Sequence, residues 1–586
     1  MRTKANIIKS TFLFAFSISL LMGCARLKPA IQPSPPSREE SFRLPATGNV
    51  EIITQYAYST EPRIGYNTFE VYLENHTTNT ITFKSVTLND VTLSVSAAAL
   101  PRALRTISLD GEEMALGSYE KPIDPDVTWY QFYPSAVAGS GETVIFQINF
   151  KKVLTSQKKL ILRDERGNEW QITVPRFRQP DKLITAVTYP LNYEWVYVQY
   201  KSGSKPEQLW LNDWEIRGYR CLTAQGGMAP EVLAVKSPFP IRTGLPIYVK
   251  IRFADGKKRC ALVRALNGIS LDACPAGPKS EAELKELGLD ADPSVLMLPF
   301  DIDCADFRAN DKGLSAMPSA SGRLKEYTEQ PTKLGGLGFC AAAFPEVWNI
   351  YGQLGDAVYE KTYRLGWGTN RLRFIEEEEI NMEKLQAVAA PRPWLWVPER
   401  FHTEGRSLSA EEMKLMGWML MARGGKGIRY HFWMNSRFDP FAKCPDLLPA
   451  MKELNQEIGK RREILSPLVL AFEEVRELGS PWNGRIKVYT SWSGEKGLLV
   501  MVRNLDYKVN LHPVEVKGLP FEAKIKKNVP VVVALPVWFK GGKIEDLLTN
   551  KRVKGQVTTG EQGRKEMQIN LDELKAYRLL WFPNDG

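Results

Sequence analysis

Histidine is scarce in this 586-residue chain, which has 4 in all, and only His402 and His431 fall in the stretch where chemistry-bearing residues gather. That is too few for a standard catalytic zinc site without carboxylates, so no metal is expected. The 7 cysteines are widely spaced and form no C-x-x-C, which argues against a zinc knuckle. No G-x-S-x-G, H-E-x-x-H or G-x-x-x-x-G-K-[ST] pattern occurs. Their absence argues against an α/β-hydrolase, a zincin and a P-loop nucleotidase, and no cofactor is called for. The formal net charge is +10, yet no basic run or aromatic-interleaved basic patch is present, so no nucleic-acid partner is expected. A mildly basic, evenly mixed surface suits acidic polysaccharide or anionic lipid headgroups, or has no particular partner. A long apolar run is missing too, because Phe12 to Leu21 is too short to span a bilayer.

That short run has a different meaning. Arg2, Lys4 and Lys9 precede it as a charged n-region, and Leu21-Met22-Gly23-Cys24 closes it. The four residues resemble a bacterial lipobox. The resemblance implies cleavage before Cys24, lipidation of its thiol and attachment to the cell envelope. Ala25 follows where retention in the inner membrane would prefer Asp, which favours the outer membrane if the cell is Gram-negative. Residues 1–23 are thus expected to be a signal peptide. Residues 24–47, with Pro-Ser-Pro-Pro inside them, are expected to be a stiff tether with little to bury.

The remaining chain is long enough for about three to five domains. Residues 48–177 show alternating runs such as Phe69 to Leu73, Val144 to Phe150 and Trp170 to Val174, separated by turn residues and without a long helical period. This predicts an all-β sandwich. Residues 178–272 repeat the texture with Trp195 to Tyr200, Gln208 to Ile216, Ile247 to Phe253 and Cys260 to Leu266, and Asp255-Gly256 reads as a hairpin turn. Both resemble the immunoglobulin-like accessory domains of secreted carbohydrate enzymes. Cys221 and Cys260 would make a disulfide if they lay on neighbouring strands of one sandwich.

From residue 273 the pattern changes. Ser280 to Leu289 is helical, and Val295 to Phe300 is a continuous apolar strand that runs into Asp301, Asp303 and Asp306. Leu337 to Phe344 is another apolar run, and Val347 to Leu365 has apolar positions compatible with a helix that would carry Asp356. Leu372 to Ile375 enters four consecutive glutamates, Glu376 to Glu379, expected to be a solvated loop. The most ordered stretch is Pro391 to Asn435. Trp394-Leu395-Trp396-Val397, fenced by prolines, is a buried strand. Ser409 and Glu412 form a capping box for a helix that Gly424-Gly425 stops, and Gly427 to Trp433 is a second strand. Strand, crossover helix and strand make a βαβ unit, whose strands must be parallel and whose ligands collect beyond the strands' C-terminal ends.

That stretch resembles the last two βα units of the (β/α)8 barrels of glycoside hydrolases, and "GGKGIRYHFW" is similar to the last strand of several bacterial barrel families. The fold class implied is multidomain: a (β/α)8-type barrel over residues 273–470, two N-terminal β-sandwich domains, and a C-terminal β-sandwich over 485–586. Residues 273–470 are fewer than the roughly 250 usual for the fold, so the barrel is expected to be abbreviated or incomplete. In the last segment, "VRNLDY" and "IEDLLTNKRV" resemble the C-terminal sandwich of barrel glycosidases. The resemblance puts Glu399 where such enzymes hold a nucleophile and Trp433 where an aromatic floors the sugar site.

Glycoside hydrolysis needs two carboxyl groups about the scissile bond. Glu399 supplies one, and Asp303 or Asp301 would supply the other, since alternate residues of a strand share a face. A loop-capping cluster is the competing reading of Asp301, Asp303 and Asp306. Trp433, His431, Arg400, Trp396 and Asp306 are the candidates for holding substrate. Two functions stay open at this point: an envelope-anchored glycoside hydrolase with a carbohydrate substrate, or a non-catalytic glycan-binding or structural lipoprotein that keeps a degenerate barrel.

Overall fold

The computed structural model describes the chain from Asn49 to Asn584 with breaks, the longest at 59–66, 95–103, 118–126, 175–183, 223–230, 275–280, 304–331, 341–347, 362–373, 399–407, 432–444, 471–484 and 510–520. Cys24 and the signal and tether segments lie outside the described residues.

The first β-rich layer pair has Val50–Tyr58, Asn67–Asn75, Thr143–Phe150 and Val127–Tyr133 in one sheet. Glu169–Val174, Lys158–Asp164, Ile81–Leu88 and Val91–Ser94 make the other, with the short Val137–Ala138 also paired to Ile81–Leu88. Alternate residues of both sheets, such as Phe69, Val71, Val86 and Leu160, fill one core. The second pair is built the same way around Val196, Val198, Leu209 and Val249. The expected single strand from Gln208 to Ile216 is instead a hairpin. Asn212 takes a positive φ of 52°, and Trp210 then pairs with Glu215 across the turn. Cys221 and Cys260 are free thiols on different sheets of this pair, so the condition for the disulfide is not met.

Six parallel strands follow: β1 (Ser270–Cys274), β2 (Val295–Asp301), β3 (Leu334–Cys340), β4 (Ala357–Lys361), β5 (Trp394–Val397) and β6 (Gly427–His431). Their spatial order is β1-β6-β5-β4-β3-β2. The sheet thus curls until its first two strands in sequence stand at its two edges, leaving one seam. Helices α1 (Phe374–Ala389), α2 (Ala410–Ala422) and α3 (Leu447–Lys460) cover its outside. Inside, Val295, Leu334, Ala357, Tyr359, Leu395 and Val397 form a separate apolar cluster. Gly338 is required there, because a Cβ at that position would lie 2.4 Å from the Tyr359 ring.

Arg429 of β6 crosses the seam. Its Nη1 donates to Asp272 of β1 at 3.0 Å and to the Val295 carbonyl of β2 at 2.9 Å, which ties both edges to one guanidinium. Among the described residues the barrel-like sheet is nearly closed with six strands, in line with the expectation of an abbreviated barrel.

Two sequence expectations are corrected here. Val347 to Leu365 is not one helix: Trp348–Tyr351 is a short turn of helix and Ala357–Lys361 is β4. Asp356 therefore sits at the N-terminal end of a strand, paired with Arg264 at 2.8 Å and accepting from the Gly335 N–H at 2.9 Å. The four glutamates are not a solvated loop either. They lie in the first turns of α1, with Glu378 and Glu379 buried.

After α3, Leu468–Leu470 leaves the barrel and joins Ile486–Ser493 in a six-stranded antiparallel sheet. A three-stranded sheet of Lys526–Ala534, Lys565–Leu574 and Gly555–Thr559 shares its core through Val500, Val531, Met567 and Leu580. Within the "IEDLLTNKRV" segment, Ile544–Asp546 and Lys551–Val553 pair as a hairpin, with Asn550 at a φ of 53°.

Candidate functional site

Parallel strands present all their C-terminal ends on one side, and loops leaving that side can converge over it. On this side β1 ends at Cys274, β2 at Asp301, β3 at Cys340, β4 at Lys361, β5 at Val397 and β6 at His431. Backbone register aligns them into a rim, because Cys274 is opposite His431, Cys340 is opposite Lys361, and Lys361 is opposite Val397. Asp301 is opposite Gly338 after an irregularity in the β2–β3 ladder. Glu399 follows Val397 by two positions in sequence. Glu399, Arg400, Asp306 and Trp433 themselves lie outside the described residues.

Asp303 has a definite environment. β2 ends at Asp301 and the backbone turns helical at Ile302, so Asp303 does not continue the strand's alternation. It has no exposed surface, and its Oδ2 accepts a hydrogen bond from the Trp348 indole at 3.0 Å. Trp396 is likewise unexposed and belongs to the core between sheet and helices, with Trp348, Met413 and Leu420. Its ring is taken up by packing, which corrects the expectation that it presents a surface to substrate.

Three residues at or beneath the rim were missed from the sequence. Lys361 is buried at 5 % exposure at the end of β4. Asp272 and Arg429, each two positions before a strand end, form the buried pair of the seam. Burial pushes the Asp272 carboxyl up to about 7 against the pull of the Arg429 guanidinium, with Asp290 adding to the rise. Its Oδ1, Arg429 Nε and the Ser270 hydroxyl have no hydrogen-bond partner among the described residues. The spacing of two from Cys274 and His431 was the available signal for the pair. It went unused because a lone Asp or Arg in an apolar run has no local partner to announce it.

The arrangement offers a rim of polar strand ends above a filled barrel interior. Among the described residues no three His, Cys, Asp or Glu side chains gather to hold a metal ion.

No protein-family model and no curated protein matches the chain. Solved structures similar to it include a pullulanase from Anoxybacillus sp. LM18-11 complexed with maltotriose, at 8% identity and a TM-score of 0.19, covering 90% of this chain and 100% of that one. A β-galacturonidase from Eisenbergiella tayi bound to galacturonate is similar at 10% identity and a TM-score of 0.21, covering 70% of this chain and 98% of that one. A cycloalternan-degrading enzyme from Trueperella pyogenes in complex with cycloalternan is similar at 8% identity and a TM-score of 0.22, covering 86% of this chain and 96% of that one. No residue and no reaction is carried over from them.

Proposed function

We propose that this chain is an envelope glycoside hydrolase, lipid-anchored at Cys24, that acts on an external polysaccharide or oligosaccharide through a pair of carboxyl groups. The observation that supports this reading most is the nearly closed parallel sheet, whose strand ends put Asp301, Lys361 and His431 on one rim, with Glu399 just beyond β5 in the chain. In this reading Glu399 is the nucleophile or base and Asp301 the partner carboxyl. The burial of Asp303 and its bond from Trp348 favour Asp301 over it. His431, Arg400, Trp433 and Asp306 would hold the sugar, the indole by stacking on its C–H-rich face.

A second reading, a non-catalytic glycan-binding or structural lipoprotein, draws on the six barrel strands among the described residues, fewer than the eight of a full (β/α)8 barrel. A hydrolysis screen on a glycan library separates the two. Under the first reading wild type cleaves at least one glycan, and Glu399→Gln and Asp301→Asn each lose at least ~10²-fold in turnover with unchanged melting temperatures. Glycan binding with no turnover by wild type selects the second. Full turnover in both variants would remove these two residues from the chemistry.

A further inference from the structure

Lys551–Val553 is the last strand of the six-stranded C-terminal sheet and Gly555–Thr559 the last of the three-stranded one. Lys554 alone links them, so the two strands follow one another along a single edge of the sandwich. Every residue from Lys540 to Gly560 is described, and this segment has five basic residues and two acidic ones. One of the acids, Asp546, is buried and paired with Arg578, which leaves Glu545 as the exposed one. Lys551, Arg552 and Lys554 are exposed, and none of the three has a side-chain ion pair among the described residues. Cations on an edge strand have an ordinary use, because they block pairing with a second chain. Blocking does not explain the apolar side chains on either side of them in the chain. Leu548 is 38 % exposed and Val557 47 %, two of five large apolar side chains that stand out among the described residues. The turn holds Leu548 outward. Asp546 Oδ1 accepts from the Leu548 N–H at 2.8 Å and the Thr549 N–H at 3.1 Å, and Asn550 takes a φ of 53°. The preceding Leu547 points inward at 7 % exposure, its N–H donating to the Leu579 carbonyl at 2.8 Å and its carbonyl accepting from Arg461.

Apolar side chains fixed outward beside unpaired cations suit a partner that is negatively charged at its surface and apolar just beneath. An anionic lipid bilayer has that layering. We propose that the edge from Leu548 to Val557 docks on anionic phospholipid headgroups. Lys551, Arg552 and Lys554 lie against the phosphates, and Leu548 and Val557 enter the boundary between headgroups and acyl chains. An acidic polysaccharide would meet the same cations but gives Leu548 and Val557 no apolar phase to enter. The edge lies outside the barrel, so the proposal does not rest on the hydrolase reading. Together with a lipid at Cys24, it would supply the second of the two signals that stable membrane attachment takes.

The test is flotation of the full chain carrying Cys24→Ser with phosphatidylcholine vesicles, and with vesicles in which about a third of the lipid is phosphatidylglycerol. Residues 1–23 bring any apolar binding of their own to both, so the difference between the two vesicles is what counts. Each cation near a charged surface contributes about fivefold, so this parent chain is expected to bind the anionic vesicles ~10²-fold more tightly. Replacing Lys551, Arg552 and Lys554 together by Ser should remove most of that preference. Raising sodium chloride from ~0.1 to ~0.5 M should weaken the parent's binding steeply, a readout that needs no variant. Leu548→Ser should weaken binding to anionic vesicles several-fold and leave its salt dependence in place. All the replaced side chains are exposed, so the variants should melt as the parent does. Equal binding to both vesicles overturns the proposal. So does binding of soluble polygalacturonate that the triple variant loses and Leu548→Ser keeps, without a vesicle preference, which would make the edge a polysaccharide contact.

Discussion

A carboxylate with no exposed surface must be held by donors, and Asp303 is held in part by the Trp348 indole. Asp303→Ala would leave that N–H buried and unpaired, which costs about 1–3 kcal/mol. Asp303→Asn keeps an acceptor oxygen in place and is expected to lose less, so melts of the two variants check the structural role. The contrary result is specific: Asp303→Asn melting as wild type while abolishing hydrolysis would return it to the chemistry. The sequence could not separate Asp303 from Asp301, because the period-of-two rule holds only while the strand lasts. Where a strand ends inside an acidic cluster is decided by what the next turn can bury, here Ile302 with no exposure. Trp396 shows the same limit, since a tryptophan in a strand reads identically whether its ring faces the helices or a ligand.

Elements whose signals are local were legible. The capping box is present as read, with the Ser409 N–H donating to Glu412 at 2.8 Å and the Glu412 N–H to the Ser409 hydroxyl at 3.3 Å. Gly424 closes that helix at a φ of 81°. The seam between β1 and β2 was not legible, since Arg429 of β6, which ties both edges, lies 157 positions from Asp272 and 134 from Val295. Arg429→Met is expected to destabilise the barrel in a pH-dependent way. Above about 7 the wild-type pair is ionised, and removing the arginine leaves a buried carboxylate without its partner, a loss of about 3–5 kcal/mol. Below that pH the Asp272 carboxyl, whose folded pKa is raised, already carries a proton, and the loss shrinks. Chemical denaturation of both proteins at pH 5.5 and 8.5 measures the difference. An equal loss at both pH values would show that the pair is not what closes the seam.

At the scale of the whole molecule, one acid that its sequence disguises gathers several of the contacts that fasten the C-terminal sheet to the barrel. Glu379 of α1 accepts from Arg503 at 2.7 Å, from the Tyr489 hydroxyl at 2.5 Å and from Arg423, at the end of α2, at 3.2 Å. Lys487 also donates to it. Glu379 is 4 % exposed and Arg503 not at all. A run of four acids looks like a solvated surface only while its partners, 44 to 124 positions away, are unknown. Burial acts to raise the Glu379 pKa, but the charges of Arg503 and Lys487 outweigh it and hold the carboxyl below its ordinary 4.5. Its folded pKa being depressed, Glu379 contributes stability that is full above about 4.5 and is lost as pH falls through the lower folded value. Glu379→Gln keeps the shape but removes the carboxylate that Arg503, Arg423 and Lys487 share, leaving them the half-exposed Glu376 and Glu383, which costs up to about 3–5 kcal/mol at neutral pH. The gap between wild type and variant should therefore be widest near pH 7 and close progressively below about pH 4.5. Melts of the two proteins from pH 3 to 7, followed by tryptophan fluorescence, measure that gap directly. A constant difference across the range would mean that the carboxylate's charge is not what fastens the sheet. Shape and hydrogen bonding at the junction would then account for the attachment.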